Sequence, residues 1–329
     1  MRALITGASG FLGGALARAL RARGDEVVAL QRGEAPALAA LGVDVRCGDI
    51  AEADAVIPAA AGCDIVFHVA AKAGHWGKHE DYYRANVRGT RHVLDACREH
   101  AIARLVYTST PSVVHDGHDI EGEDERLAYA TRFLAHYPAT KAAAEREVLA
   151  ANGPALATVA LRPHLIWGPG DNHLLPRIVA RARAGRLRFI GAPGKRIDAT
   201  YIDNAVEAHL AAADTLGPHA PQAGRAYFVS NGEPIAIEEM INRLLACAGL
   251  PPARARISRR AAYGIGAAME LAWHTLRLPG EPPLTRFVAD QLATAHWYDI
   301  SAAARDFGWR PRVTMAQGFA ALERALRGA

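Results

Sequence analysis

The chain has 329 residues, half of them apolar and 22% charged, which is globular usage with room for one large domain or two modest ones and excludes disordered, collagen-like and fibrous classes. Its 38 basic and 34 acidic residues leave a formal charge of only +4. That excess is spread out, with no block of five or six like charges, which speaks against a nucleic-acid partner.

Over the first 110 residues, short β-branched runs alternate with longer helical patterns, the sign of βαβ units and a mostly parallel sheet. Met1 leads directly into a strand at Arg2–Thr6, without the regions of a signal peptide. Gly7-Ala8-Ser9-Gly10-Phe11-Leu12-Gly13 follows, and Leu12, Leu16, Ala19 and Leu20 predict a helix over 11–23 stopped by Gly24. A Gly-x-x-Gly-x-x-Gly placed between first strand and first helix reads as a dinucleotide-binding turn. Gly7 permits the tight turn, Gly10 lets backbone approach a pyrophosphate, and Gly13 lets the helix pack against the sheet. Ser9, Phe11 and Leu12 surround a helix N-terminus that suits anions. No Lys-Ser or Lys-Thr follows, so a P-loop is excluded.

A second strand at 26–30 runs into Gln31-Arg32, where an NAD-binding chain usually carries an acid for the ribose hydroxyls. Arg32 suits a 2′-phosphate instead, so NADP(H) is favoured over NAD(H). A third strand at 43–47 delivers Asp49 and Ile50, the aspartate as an acceptor for the adenine amino group. A fourth at 64–68 ends in Val69-Ala70-Ala71, small enough for backbone to approach a ribose. Residues 82–100 read as one long helix and 105–109 as the fifth strand. A helix over 137–151 tolerates Pro138 because it lies in the first turn. A strand at 156–161 extends the sheet, Gly168-Pro169-Gly170 breaks the chain, and 226–230 looks like a strand returning to the sheet. The pattern predicts an α/β fold, a Rossmann-type doubly wound parallel sheet with a smaller C-terminal substrate lobe. Residues 1–170, with 200–230 returning, form the cofactor domain; 171–199 and 231–329 form the lobe.

Tyr137 and Lys141 stand four apart on that helix, hence on one face. Lysine occurs only at 72, 78, 141 and 195, so the pairing is hard to assign to chance. A phenol titrates near about 10, and a neighbouring ammonium is expected to pull it down toward working pH, as an acid–base group requires. The ammonium also suits the hydroxyls of a nicotinamide ribose. The fifth strand ends in Thr108-Ser109-Thr110, one of whose hydroxyls would hold the reacting oxygen beside Tyr137.

Together with Asn86-Val-Arg-Gly-Thr90, Leu161-Arg-Pro163 and Tyr201-Ile-Asp203, these motifs resemble the extended short-chain dehydrogenase/reductases over essentially the whole chain. The stretches 107–114, 133–141 and 161–171 are most similar to the 3β-hydroxysteroid dehydrogenase branch, and there to the bacterial 2-alkyl-3-oxoalkanoate reductases of long-chain olefin biosynthesis. The resemblance implies an NAD(P)-dependent oxidoreductase with Tyr137 as proton donor, Lys141 as its partner and Thr110 aligning the substrate oxygen. Many relatives carry serine at that position, which leaves the choice between Ser109 and Thr110 open. It further implies that Ser109 and Pro163 border the cofactor, that the substrate is a small hydrophobic molecule, and that the protein is a homodimer able to join neighbouring pathway enzymes. A 3β-hydroxysteroid or sterol-4-carboxylate dehydrogenase would use the same residues. A nucleotide-sugar epimerase fits Arg32 less well, and a silent NADP sensor has no need of Thr110, Tyr137 and Lys141 together.

Four separated cysteines (Cys47, Cys63, Cys97, Cys247) suggest neither zinc nor disulfides and favour a reducing cytoplasm. His75/His79 and His115/His118 have ligand-like spacing but no third ligand, so no metal is expected. His75, Trp76, His164 and His173 are candidates for substrate contact, against ordinary structural roles. The apolar segment 261–278 is too short and polar to span a bilayer. It would line an acyl or sterol tunnel, cover an entrance, touch a membrane peripherally, or form a buried lobe helix.

Overall fold

The computed structural model describes residues 1–328. Among them, β1 (Arg2–Thr6), β2 (Glu26–Gln31), β3 (Asp44–Cys47), β4 (Ile65–His68), β5 (Arg104–Thr108), β6 (Ala157–Pro163) and β7 (Arg225–Val229) form one sheet in the order β7-β6-β5-β4-β1-β2-β3. Every pairing in it is parallel. Alternate side chains serve two cores, as the two-residue period of a strand requires. Ala3, Ile5, Val27, Ala29, Phe67 and Val106 pack beneath α1 (Phe11–Ala22) and the helix Ile202–Thr215. Leu4, Val28, Val66, Leu105 and Tyr107 pack beneath α2 (Gly89–Glu99) and α3 (His136–Ala150) on the other face. Both faces being covered explains why these strands read as nearly continuous apolar runs. The order reverses between β1 and β4, opening the crevice at the carboxyl ends where such sheets bind ligands.

The stretch read as one helix over 82–100 is not uniform. An α-helix at His79–Tyr83 passes into a π-helical turn, Arg84–Arg88, before α2 begins. The wider turn accommodates the buried Asn86, whose amide bonds across to Lys72 and Thr140.

Outside the main sheet, short strands at Ile120–Glu123, Arg196–Ile197, Ile235–Ala236 and His296–Tyr298 form a second sheet. The first of them has no counterpart among the predicted elements. The segment 261–278 is mostly one helix, α4 (Arg259–Leu276), capped by the Ser258 hydroxyl on the Ala261 N–H. Only Ala262 and Gly266 are buried along it, so it is not a buried lobe helix; Leu271 and Leu276 are 64% and 68% exposed. Its inner side lies on α5 (Arg286–Ala293), where a Cβ at Gly266 would stand 2.7 Å from the Thr285 carbonyl carbon. No helix among the described residues is long and apolar enough to cross a membrane.

Candidate active site

At the crevice the glycine turn divides into packing and ligand-facing parts. Gly7 has φ +75°, and a Cβ there would lie 2.8 Å from Ala70 Cα; one on Gly13 would lie 2.3 Å from the Gly7 carbonyl oxygen. Both therefore bring backbone into contact with backbone. Gly10 begins α1 with no side-chain cap, and no acid stands in the first turn. Ser9 is exposed, Phe11 half-buried and Leu12 buried. The N–H groups and positive end of α1 thus face outward without a side-chain partner, which suits a pyrophosphate.

Arg32 is exposed beyond β2, close enough to Asp49 to favour the carboxylate. Both Asp49 oxygens are already engaged, Oδ1 by the Ala51 N–H at 3.0 Å and Oδ2 by Arg84 at 2.8 Å, and the Ala51 bond does most to hold the carboxyl below its ordinary range. Adenine would have to share that carboxylate. Ile50 packs against Gly89. The Ala70 N–H donates to Thr6 Oγ1 at 3.1 Å, and Ala71 is exposed beside it.

Beneath this rim runs a buried polar chain that sequence reasoning missed. His68 lies between Thr6 Oγ1 (2.8 Å) and Thr90 Oγ1 (2.9 Å); Thr90 donates to the Asn86 carbonyl at 2.6 Å, and Asn86 Nδ2 donates to Thr140 Oγ1 at 2.9 Å. Burial and then the Lys141 charge push His68 down to about 3, so it stays neutral and carries hydrogen bonds at both ring nitrogens. The chain ties the end of β1 to α3. The motif Asn86-x-x-x-Thr90 was visible, but which groups it joined was not.

Tyr137 sits in the first turn of α3, half-buried, next to the Thr110 hydroxyl. Thr110 begins the 3-10 turn Pro111–Val113, its Oγ1 accepting from the Ser112 N–H at 3.2 Å. Lys141 is buried and donates to the Thr108 carbonyl at 2.6 Å, with Nζ 4.0 Å from the centre of the Tyr107 ring. Here both groups are shifted toward their neutral forms. Burial pushes the Tyr137 phenol up to about 12, opposed only by Thr110, while burial drives Lys141 down to about 7 despite Glu145. The ammonium is spent on Thr108 and Tyr107 rather than on the phenol. Ser109 Oγ is buried with no partner, and Pro163 closes β6 with its side chain buried.

Glu145, four residues after Lys141, is a second missed group. It is fully buried and takes Arg162 Nε at 3.1 Å and the Tyr129 hydroxyl at 2.7 Å. Arg162 immediately precedes Pro163, so this ion pair fixes α3 against the end of β6.

The candidate substrate contacts scatter. His75 is half-buried, with Nε2 3.8 Å from Glu281, and the Trp76 carbonyl accepts the Tyr82 hydroxyl at 2.8 Å. His164 is half-buried, edge-on to His296 at 4.8 Å, and desolvation holds it well below the ordinary imidazole range. His173 is exposed where the helix Leu174–Arg183 begins. Among the described residues no group of three His, Cys, Asp or Glu side chains is arranged to hold a metal.

The family model for the 3-beta hydroxysteroid dehydrogenase/isomerase family matches residues 4–257. A 2-alkyl-3-oxoalkanoate reductase of Stenotrophomonas maltophilia is 53% identical over 325 residues, 98% of either chain. A 2-alkyl-3-oxoalkanoate reductase of Shewanella oneidensis is 47% identical over 98% of this chain and 86% of its own. Among solved structures, MoeE5 in complex with UDP-glucose and NAD superposes with TM-score 0.75 over 100% of this chain and 99% of that one; at 24% identity it speaks to the fold alone.

Proposed function

Because the chain belongs to the 3-beta hydroxysteroid dehydrogenase/isomerase family, whose members are NAD(P)-dependent oxidoreductases, we propose that it reduces the 3-keto group of a 2-alkyl-3-oxoalkanoate to the 3-hydroxy acid, reversibly and with NADP(H). The observation that carries this reading is the 53% identity that runs through 98% of both chains. The geometry supplies the means. The open N-terminus of α1 would hold the pyrophosphate and Arg32 the 2′-phosphate. Asp49, Ile50, Ala70 and Ala71 would border the adenosine half, and Ser109, Lys141 and Pro163 the nicotinamide half. A reduced nicotinamide bound there would supply hydride to the ketone carbon. Thr110 donates a hydrogen bond to the ketone oxygen, and Tyr137 delivers its phenolic proton there as negative charge develops. A phenol held near 12 keeps that proton at neutral pH, which suits the reducing direction. The same reading makes 1–170 with 200–230 the cofactor domain, and the protein a cytoplasmic homodimer.

The test is a panel of 2-alkyl-3-oxo acids, 3-ketosteroids and UDP-sugars, each with both cofactors. The expected outcome is turnover of the oxo acids with NADPH and a roughly 10- to 100-fold fall in NADPH efficiency in Arg32→Ala, since a hydrogen bond to a charged group contributes about 1.5–3 kcal/mol. Steroid turnover alone would replace the substrate, and an NADH preference would remove Arg32 from its role. Tyr137→Phe should lower kcat by roughly 10²- to 10⁴-fold with cofactor binding intact; full activity would sink the assignment.

A further inference from the structure

Between the helices Leu174–Arg183 and Ile237–Cys247, α4 and α5 lies a cavity of about 490 Å³, inside the range of sites that enclose small ligands. Phe189, Ile190, Ile241, Ile257, Ile265 and Met269 face it. Arg181, Arg186 and Arg188 also line it; Arg181 and Arg188 donate to the Pro283 and Gly185 carbonyls at 2.8 Å each, and no buried polar atom of the wall is left without a partner.

Two wall segments continue into residues that contact the loops after β4 and β6. Pro283 and Leu284 line the cavity, and Glu281, two residues before, stands 3.8 Å from His75 in the loop after β4. Leu292 lines it from α5, and His296, four residues on, packs edge-on against His164, the residue after Pro163 at the end of β6. The cavity therefore adjoins segments that contact the carboxyl ends of β4 and β6, the side of the sheet on which the crevice opens.

We propose that this cavity receives one alkyl chain of the substrate, with Ile265 and Met269 on α4 limiting the length it accepts. The inference rests on the 2-alkyl-3-oxoalkanoate reading above. The aliphatic and aromatic part of the wall fits an aliphatic chain, each buried methylene of which adds to binding, while Arg181, Arg186 and Arg188 stand at other parts of the lining. Ile265 is 43% exposed while still lining the space, which puts it at the mouth.

The experiment has a binding arm and a kinetic arm, each on the full chain and on Met269→Trp and Ile265→Trp. Thermal midpoint and NADPH binding check that each variant is folded; the exposed Ile265 site guards against failure of the buried one. In the binding arm the neutral probe N-phenyl-1-naphthylamine should fluoresce with the wild type, be displaced by n-decanol, and bind roughly tenfold or more weakly to the variants, which lose room for several methylenes. Equal binding by wild type and both folded variants, or none by the wild type, overturns the proposal. In the kinetic arm, kcat/KM for 2-methyl-3-oxo acids of graded tail length should climb by roughly fourfold per methylene in the wild type and level off earlier in the variants, with the shortest acid unaffected. A length profile unchanged by either folded variant also overturns it. Failure to reduce any oxo acid, with probe binding intact and lost in the variants, places the error in the substrate reading and not in the cavity.

Discussion

Burial works against a charge on Lys141. Its folded pKa, lowered by burial to about 7, lies below the value near about 10.5 of an exposed lysine. As pH falls from about 10.5 toward 7 the unfolded chain takes up the proton first, so stability falls with pH across that window and carries the full cost below it. Lys141→Met should flatten the rise in thermal midpoint between pH 7 and about 10 in cofactor-free protein; an unchanged slope would show that the ammonium is not the group being penalised. The spacing of Tyr137 and Lys141 was legible because a helix places positions four apart on one face. What Lys141 Nζ contacts was not legible, because only tertiary structure brings the Thr108 carbonyl and the Tyr107 ring to it. The place of Arg32 just beyond β2 was legible because the strand before it is a clear apolar run.

At the scale of elements, α3 is held against β6 by a contact invisible in the hydrophobic pattern. Removing Glu145 leaves Arg162 buried without its counter-charge, so Glu145→Ala should cost about 3–5 kcal/mol in urea unfolding, whereas replacing both residues by methionine should recover most of the loss. A loss below about 1 kcal/mol would mean that water reaches Arg162. The strands of the main sheet were readable because burial on both faces writes itself as short apolar runs. Ile120–Glu123 was not, because Ile-Glu-Gly-Glu has little apolar pattern and its partner is His296–Tyr298, far along the chain. The π turn escaped for a similar reason. Asn86 is drawn inward by Lys72 and Thr140, neither of which lies in its own helix.

On the scale of the whole molecule, the crevice joins the open end of α1, the polar chain from Thr6 to Thr140, and Tyr137, so a ligand there touches several elements at once. NADPH at 100 times its Kd should therefore raise unfolding stability by about 2.7 kcal/mol, read as an upward shift in thermal midpoint. An equal shift with NADH at equal concentration would show that Arg32 does not discriminate. The main sheet was foreseeable from the βα alternation of the first part of the chain and the returning strand near residue 226. The cavity was not, since its wall is assembled from four separate stretches of the second half of the chain.

The pairing of Ile120–Glu123 with His296–Tyr298 also bears on how the protein is made. A ribosome releases residue 120 long before residue 296. The main sheet has all seven strands once residue 229 has emerged, but the smaller sheet waits for nearly the last of the chain. Until then the nascent chain carries an unpaired strand, a stretch on which a chaperone can act and at which premature termination leaves a sticky product.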